Sequence, residues 1–204
     1  MFAVQPCEAA GANAVGVVSS DEKGELVEQL GAVDYINRNE FAAMMRTGTE
    51  TAERERFKVS RTFAKRSKQI LGGAPDVVFE HVGKATFPTS VFMVKPFGKV
   101  AICGATSGYR LDFDVRNLWM RQEQIIGSHF ANAYECMKAN QLMAEGKVRP
   151  VLWGTMGFDG VPEAHQKMHE NRHFGKIAIM VGATSEDEGC EIEGPGAIRA
   201  EAGA

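Results

Sequence analysis

The chain has 204 residues, enough for one substantial core, or for one domain with pieces of a second. Hydrophobic residues make up 44% and charged residues 24%, which is ordinary for a globular protein, and a formal net charge of −3 leaves no basic footprint for nucleic acid. There is no run of 18 apolar residues, so no membrane span is expected, and the opening MFAVQPCEAAGANAV lacks the basic flank and apolar core of a signal peptide.

Strand-like and helix-like segments alternate along the chain. AVGVVSS (14–20) reads as a strand, and DEKGELVEQLGA (21–32) as a helix with Leu26, Val27 and Leu30 on one face. DYIN (34–37) is a short strand. Residues 39–71 are polar and charged, with helical periodicity in FKVSRTFAKRSKQIL. PDVVFEHVG (75–83) and GKVAICGATSG (98–108) read as strands ending in glycine-containing loops, QIIGSHF (124–130) as another strand, and NAYECMKANQLMAEGKV (132–148) as a helix. After Pro150 come an extended VLWGTMGF, a helix VPEAHQKMHENR and a strand GKIAIMV (175–181). The tail from Gly182 is acidic and rich in Gly and Ala, a composition expected to be disordered. Continuous apolar strands between helices predict an α/β fold, a doubly wound parallel sheet with both faces covered.

The four cysteines (Cys7, Cys103, Cys136 and Cys190) are scattered, with no C-x-x-C pair. They predict free thiols in a reducing cytosol, hence a cytoplasmic protein without disulfides or a metal site. His165, His169 and His173 are spaced i, i+4, i+8, one face of a helix. No glutamate stands between them as in H-E-x-x-H, so an amphipathic helix with incidental histidines is the better reading.

A dinucleotide fingerprint needs G-x-G-x-x-G straight after a strand, so that backbone N–H groups meet the pyrophosphate at a helix N-terminus. No segment matches. GPGAIR (194–199) has no strand before it, and GTMGFDG (154–160) has the wrong spacing. The remaining pattern fits a doubly wound sheet truncated by its first strand and glycine loop.

The end of strand 14–20 is where a ribose-binding carboxylate usually marks NAD selectivity. Ser19 and Ser20 stand there instead, with Lys23 one helical turn on. Two hydroxyls and an ammonium suit a 2′-phosphate and predict NADP(H). Ser20 or Asp21 acting as an ordinary helix cap is compatible with this. Arg38, after the next strand, could add a second charge. FEHVG (79–83) and CGATSG (103–108) lie at strand C-terminal ends, where open α/β sheets hold ligands. Gly83, Gly104 and Gly108 there are either close-approach points for a cofactor or ordinary turn glycines. His129, in GSHFAN (127–132), is a candidate acid/base or hydrogen-bond donor, or a strand-end histidine satisfied by neighbouring backbone.

The stretch 76–135, with FEHVGKATFP, LWMRQ and GSHFAN, closely resembles the crotonyl-CoA carboxylase/reductase family, a branch of the medium-chain dehydrogenase/reductases. So do KMHENRHFGKIAIMV (167–181) and VVSSDEKGELVEQLGAVDYINRNEF (17–41), and the resemblance covers roughly residues 3–181. It implies reduction of an enoyl-CoA by NADPH. Hydride reaches the β-carbon and leaves an enolate, which CO2 traps when water is excluded, giving an ethylmalonyl-CoA-like product. By this resemblance His129 helps hold CO2 and counts as catalytic. Ser19, Ser20, Lys23 and Arg38 match positions near the NADPH 2′-phosphate, and His81, Gly83, Gly104 and Ser107 match loops near the cofactor. The same resemblance divides the chain into a truncated NADP-binding domain (1–149), a segment returning to a substrate domain (150–181) and the tail (182–204). It implies a homo-oligomer when complete, with a partner chain or N-terminal half supplying the remaining elements. The strand at 14–20 and that at 76–82 must then pair directly or leave exposed edges. The alternatives are a non-carboxylating, zinc-independent enoyl or quinone reductase, told apart by His129, and a non-catalytic remnant that does not bind the cofactor by itself.

Overall fold

A computed structural model describes residues 2–45, 50–170, 172–185 and 198–199. The chain divides into two compact units, one of residues 1–16, 25–32 and 131–204, the other of residues 17–24 and 33–130. Two short strands, β1 (Ala14–Val18) and β2 (Ala32–Asn37), pair as a two-stranded sheet, with helix α2 (Asp21–Gln29) between them in sequence. Leu26, Val27 and Leu30 are buried, as the helical spacing of residues 21–32 requires.

The second unit is built around three parallel strands, β3 (Val77–Glu80), β4 (Lys99–Ile102) and β5 (Gln124–Gly127), in the order β3-β4-β5. Val78 pairs with Val100, and Val100 with Ile125. Helix α4 (Phe87–Met93) crosses between β3 and β4 and lays Phe87, Val91 and the following Val94 onto Val100, with Val78, Ile102 and Phe113 at the margin. Spacing of i, i+4 and i+7 aligns the three, and Pro88 is tolerated because the first helical turn needs no N–H from it. Sequence periodicity missed α4, a helix of only seven residues.

The polar stretch resolves into a 3-10 segment (Arg38–Met45) and a long helix α3 (Glu50–Leu71). Its buried face is Ser60, Phe63, Ala64 and Ser67, again i, i+3, i+4, i+7. Phe63 meets Phe41 edge to face at 5.3 Å, and the hydroxyls of Ser60 and Thr89 lie 2.7 Å apart, fixing α3 to α4.

β3 alternates, Val78 and Glu80 inward, Val77 and Phe79 outward at 55% exposure each. β5 and helix α5 (Val115–Met120) hold no buried residue. Within this unit α3 and α4 occupy one side only, so residues on the other side stay open. β3 pairs with β4 and, among the described residues, with no second strand. Among the described residues β1 pairs with β2 and not with β3.

The first unit holds helix α1 (Val4–Ala9), helix α6 (Ala133–Ala144) and the strands β6 (Val151–Gly157), β7 (Lys176–Met180) and β8 (Ile198–Arg199). β6 is central and parallel to both neighbours. Gln5 anchors α1 here: its side-chain amide donates to the Arg149 carbonyl (3.0 Å) and its oxygen accepts from the Arg149 N–H (2.7 Å). Helix α7 (Val161–His169) stops earlier than the periodicity suggests. The Arg172 N–H closes onto the Lys167 carbonyl at 3.0 Å, the 6→1 bond of a Schellman-type end, which removes His173 from the helix. The histidine stripe therefore does not form one face. GTMGFDG is the end of β6 and a 3-10 turn (Phe158–Gly160). Of the acidic tail, residues 186–197 and 200–204, with Cys190 and most of GPGAIR, lie outside the described residues, while β8 pairs with β6.

Candidate functional site

β1 ends at Val18, and the next two residues turn the chain into α2. Lys23 lies four residues past Ser19, so the first turn of α2 folds its ammonium back to 3.2 Å from the Ser19 hydroxyl. The Ser20 hydroxyl accepts from the Lys23 N–H at 3.4 Å, so Ser20 caps α2 while Ser19 stays with the ammonium. Ser20 fills the capping role weighed for the serines, and Ser19 faces the Lys23 ammonium. Asn39, which sequence reasoning did not single out, donates its amide to the Ser19 carbonyl at 2.7 Å. Asn37 donates to Asp21 at 3.0 Å, which engages that carboxylate on the β2 side. Arg38 opens the 3-10 segment, half-buried, and bonds none of these groups. A hydroxyl and an ammonium at bonding distance are donors a phosphate monoester accepts.

A second cluster lies at the C-terminal ends of β3 and β4. Loop 81–86 and loop 103–108 are stitched together by five bonds, and a sixth ties loop 103–108 to the end of β3. Cys103 N–H donates to Glu80 O (3.1 Å), Thr106 N–H to His81 O (3.5 Å) and Lys84 N–H to Gly108 O (3.2 Å). Ser107 donates from both its N–H (2.8 Å) and its hydroxyl (2.7 Å) to Val82 O, and its hydroxyl accepts from Ala85 N–H at 3.0 Å. Gly83 takes φ 88°, and a Cβ on it would lie 2.8 Å from the Ala105 Cα. Glycine is required there, and the space it leaves is filled by the facing loop. A Cβ on Gly104 would likewise lie 3.2 Å from the His81 carbonyl oxygen. The His81 ring is exposed beside Phe79, at 6.4 Å between centroids.

His129, two residues past β5, is exposed, and its ring stacks on that of Phe130 at 3.7 Å between centroids. Phe130 itself takes φ 59°, an unusual conformation for a bulky side chain, which turns the chain at GSHFAN. The backbone satisfaction weighed for His129 is not present among the described residues.

A parallel α/β sheet whose loops at the strand C-termini carry these clusters has the architecture of a dinucleotide-binding domain. The chain belongs to the zinc-binding dehydrogenase family, whose model matches residues 1–145. It is 41% identical over 187 residues to the crotonyl-CoA carboxylase/reductase of Cereibacter sphaeroides, covering 89% of this chain and 44% of that protein. It is 38% identical to the crotonyl-CoA reductase of Streptomyces collinus, over 92% of this chain and 42% of that one. The chain thus spans under half the length of these relatives. Among solved structures it superposes with a TM-score of 0.83 on the crotonyl-CoA carboxylase/reductase AntE in complex with NADP, at 40% identity over 90% of this chain and 47% of AntE. The 2-octenoyl-CoA carboxylase reductase CinF, in complex with NADP and 2-octenoyl-CoA, matches with a TM-score of 0.84 at 34% identity, over 91% and 41% of the two chains. The family resemblance read from FEHVGKATFP, LWMRQ and GSHFAN and the α/β fold are both borne out. Among the described residues no group of three or more His, Cys, Asp or Glu is placed to hold a metal ion.

Proposed function

We propose that residues 1–149 form the NADPH-binding part of a carboxylating enoyl-CoA reductase. Residues 150–181 return to a substrate domain, and residues 182–204 form a tail. The observation that carries the reading is the Ser19–Lys23 pair at the end of β1, in a chain about 40% identical to an NADP-bound carboxylase/reductase. NADPH supplies the hydride. Ser19 and Lys23 hold the 2′-phosphate, Ser20 and Asn39 keep that corner in shape, and Arg38 adds charge nearby. His81, Gly83, Gly104 and Ser107 form the wall against the rest of the cofactor. His129 holds CO2 over the enolate of the enoyl-CoA. We place the enzyme in the cytoplasm as a homo-oligomer; among the described residues no helix is long and apolar enough to cross a membrane.

Titration of the chain with NADPH and NADH tests this. Lys23→Glu should weaken NADPH binding about tenfold or more, from the loss of one charge-assisted bond and the repulsion replacing it, and leave NADH within about twofold. Equal losses for both cofactors would refute the phosphate role. In the enzyme containing this chain, His129→Asn should raise plain reduction relative to carboxylation, and an unchanged product ratio would remove His129 from CO2 binding.

A further inference from the structure

Glu80 ends β3 and is only 3% exposed, and four donors converge on its carboxylate. The N–H groups of Val82 (2.7 Å) and Gly83 (3.1 Å) donate to Oε1. The Thr86 hydroxyl reaches both oxygens (2.8 and 2.9 Å), and the Ser90 hydroxyl donates to Oε2 at 2.6 Å. Val82, Gly83 and Thr86 belong to loop 81–86, Thr86 also standing at the N-cap of α4, and Ser90 lies in α4 itself. Loop 81–86 is in turn the partner of loop 103–108 through Val82 O, His81 O and Gly108 O. One buried carboxylate therefore sits at the root of both loops. A buried carboxylate is costly unless its lone pairs are met, and here four donors meet them.

We infer that Glu80 is the positioning residue of the cofactor wall, setting loop 81–86 and through it loop 103–108, without itself touching the ligand. The inference rests on the proposed cofactor role of those loops. Glutamine discriminates charge from shape. Its carbonyl oxygen can take the Val82 and Gly83 N–H groups, which cannot reverse. Its amide can donate to the Thr86 and Ser90 hydroxyls, which can accept. Alanine removes all four bonds.

The test uses the 204-residue chain, with amide exchange read on the free protein and NADPH affinity read by fluorescence. Glu80→Ala should speed exchange at Val82 and Gly83 and, across the loop contact, at Thr106 and Ser107. It should also raise the Kd for NADPH about tenfold, the effect of about 1.4 kcal/mol of lost preorganisation. Glu80→Gln should restore both to within about threefold of the parent. Ser60→Ala, which breaks the Ser60–Thr89 contact away from the loops, should lower Tm and leave the Kd unchanged. Unchanged exchange at Thr106 and Ser107 in Glu80→Ala would overturn the inference. So would a Kd that rises equally in Ser60→Ala at the same loss of Tm. Should Glu80→Ala not fold, Ser90→Ala carries the same two readouts with one bond removed. If the parent chain binds no NADPH, the cofactor reading fails by itself, and the exchange measurement still decides whether Glu80 sets both loops.

Discussion

Glu80 and Glu123 are both buried carboxylates, and they differ in what meets them. Glu80 has four donors. Neither oxygen of Glu123 has a hydrogen bond, although Arg121 Nη1 lies 3.1 Å from Oε1. That guanidinium is aimed elsewhere, at the carbonyls of Phe92 and Val94. Burial consequently pushes the Glu123 carboxyl up from 4.5 to about 6, against the smaller pull of Arg121. The folded state then holds the proton more tightly than the unfolded one. Its contribution to stability is fully present below pH 4.5 and is lost as pH rises through 6, about 2 kcal/mol in all. Glu123→Gln should flatten the stability–pH curve between pH 4 and 7, as followed by urea melts at several pH values. An unchanged curve would show that Glu123 is solvated. Ser19 and Lys23 were legible in the sequence because they lie within one helical turn. Glu80 was not: its partners Thr86 and Ser90 become neighbours only when α4 folds back over the end of β3. A signal was present in the hydroxyls six and ten residues after a strand-end glutamate.

At the level of elements, α4 and α6 respond oppositely to mutation. α4 is held by packing, since Phe87 is 1% exposed in the cluster with Val91, Val94 and Val100. Phe87→Ala should cost about 3–5 kcal/mol, read from thermal or urea unfolding, because the cavity is enclosed. α6 buries no residue and is held by its own ends. Asn132 accepts from the Glu135 N–H at 2.9 Å while its own N–H donates to the Glu135 carboxylate at 2.8 Å, a complete capping box. Asn132→Ala should cost about 1 kcal/mol of local stability, seen as faster amide exchange over residues 133–137 with global Tm nearly unchanged. Long periodic elements such as α2 and α3 were readable from apolar spacing. The seven-residue α4 and six-residue α5 were not, because two turns give too few repeats to establish a period.

For the whole molecule, the consequence lies in the apolar surface left open. Val77 and Phe79 point away from the α4 side of β3, and Ile125 and Ile126 of β5 are more than a third exposed. Exposed apolar strands at sheet edges favour association. The isolated chain should therefore self-associate at micromolar concentration in sedimentation velocity, and Phe79→Lys should shift it toward monomer. A parent chain that sediments as a monomer would refute this.

The sequence by itself determined the alternation of strands and helices, the family, and the serine–lysine pair at the end of β1. These depend on local spacing and on motifs contiguous in the chain. The tertiary structure alone decided that Glu80 joins two loops separated in sequence by α4 and β4, and that β3 pairs, among the described residues, with β4 alone. It also decided that the glycines of each loop face residues of the other, Gly83 against Ala105, Gly104 against His81 and Gly108 against Lys84. Each of these is a close approach between segments distant in sequence, set by strand register and by the return of α4, and no local pattern of residue types records such an approach.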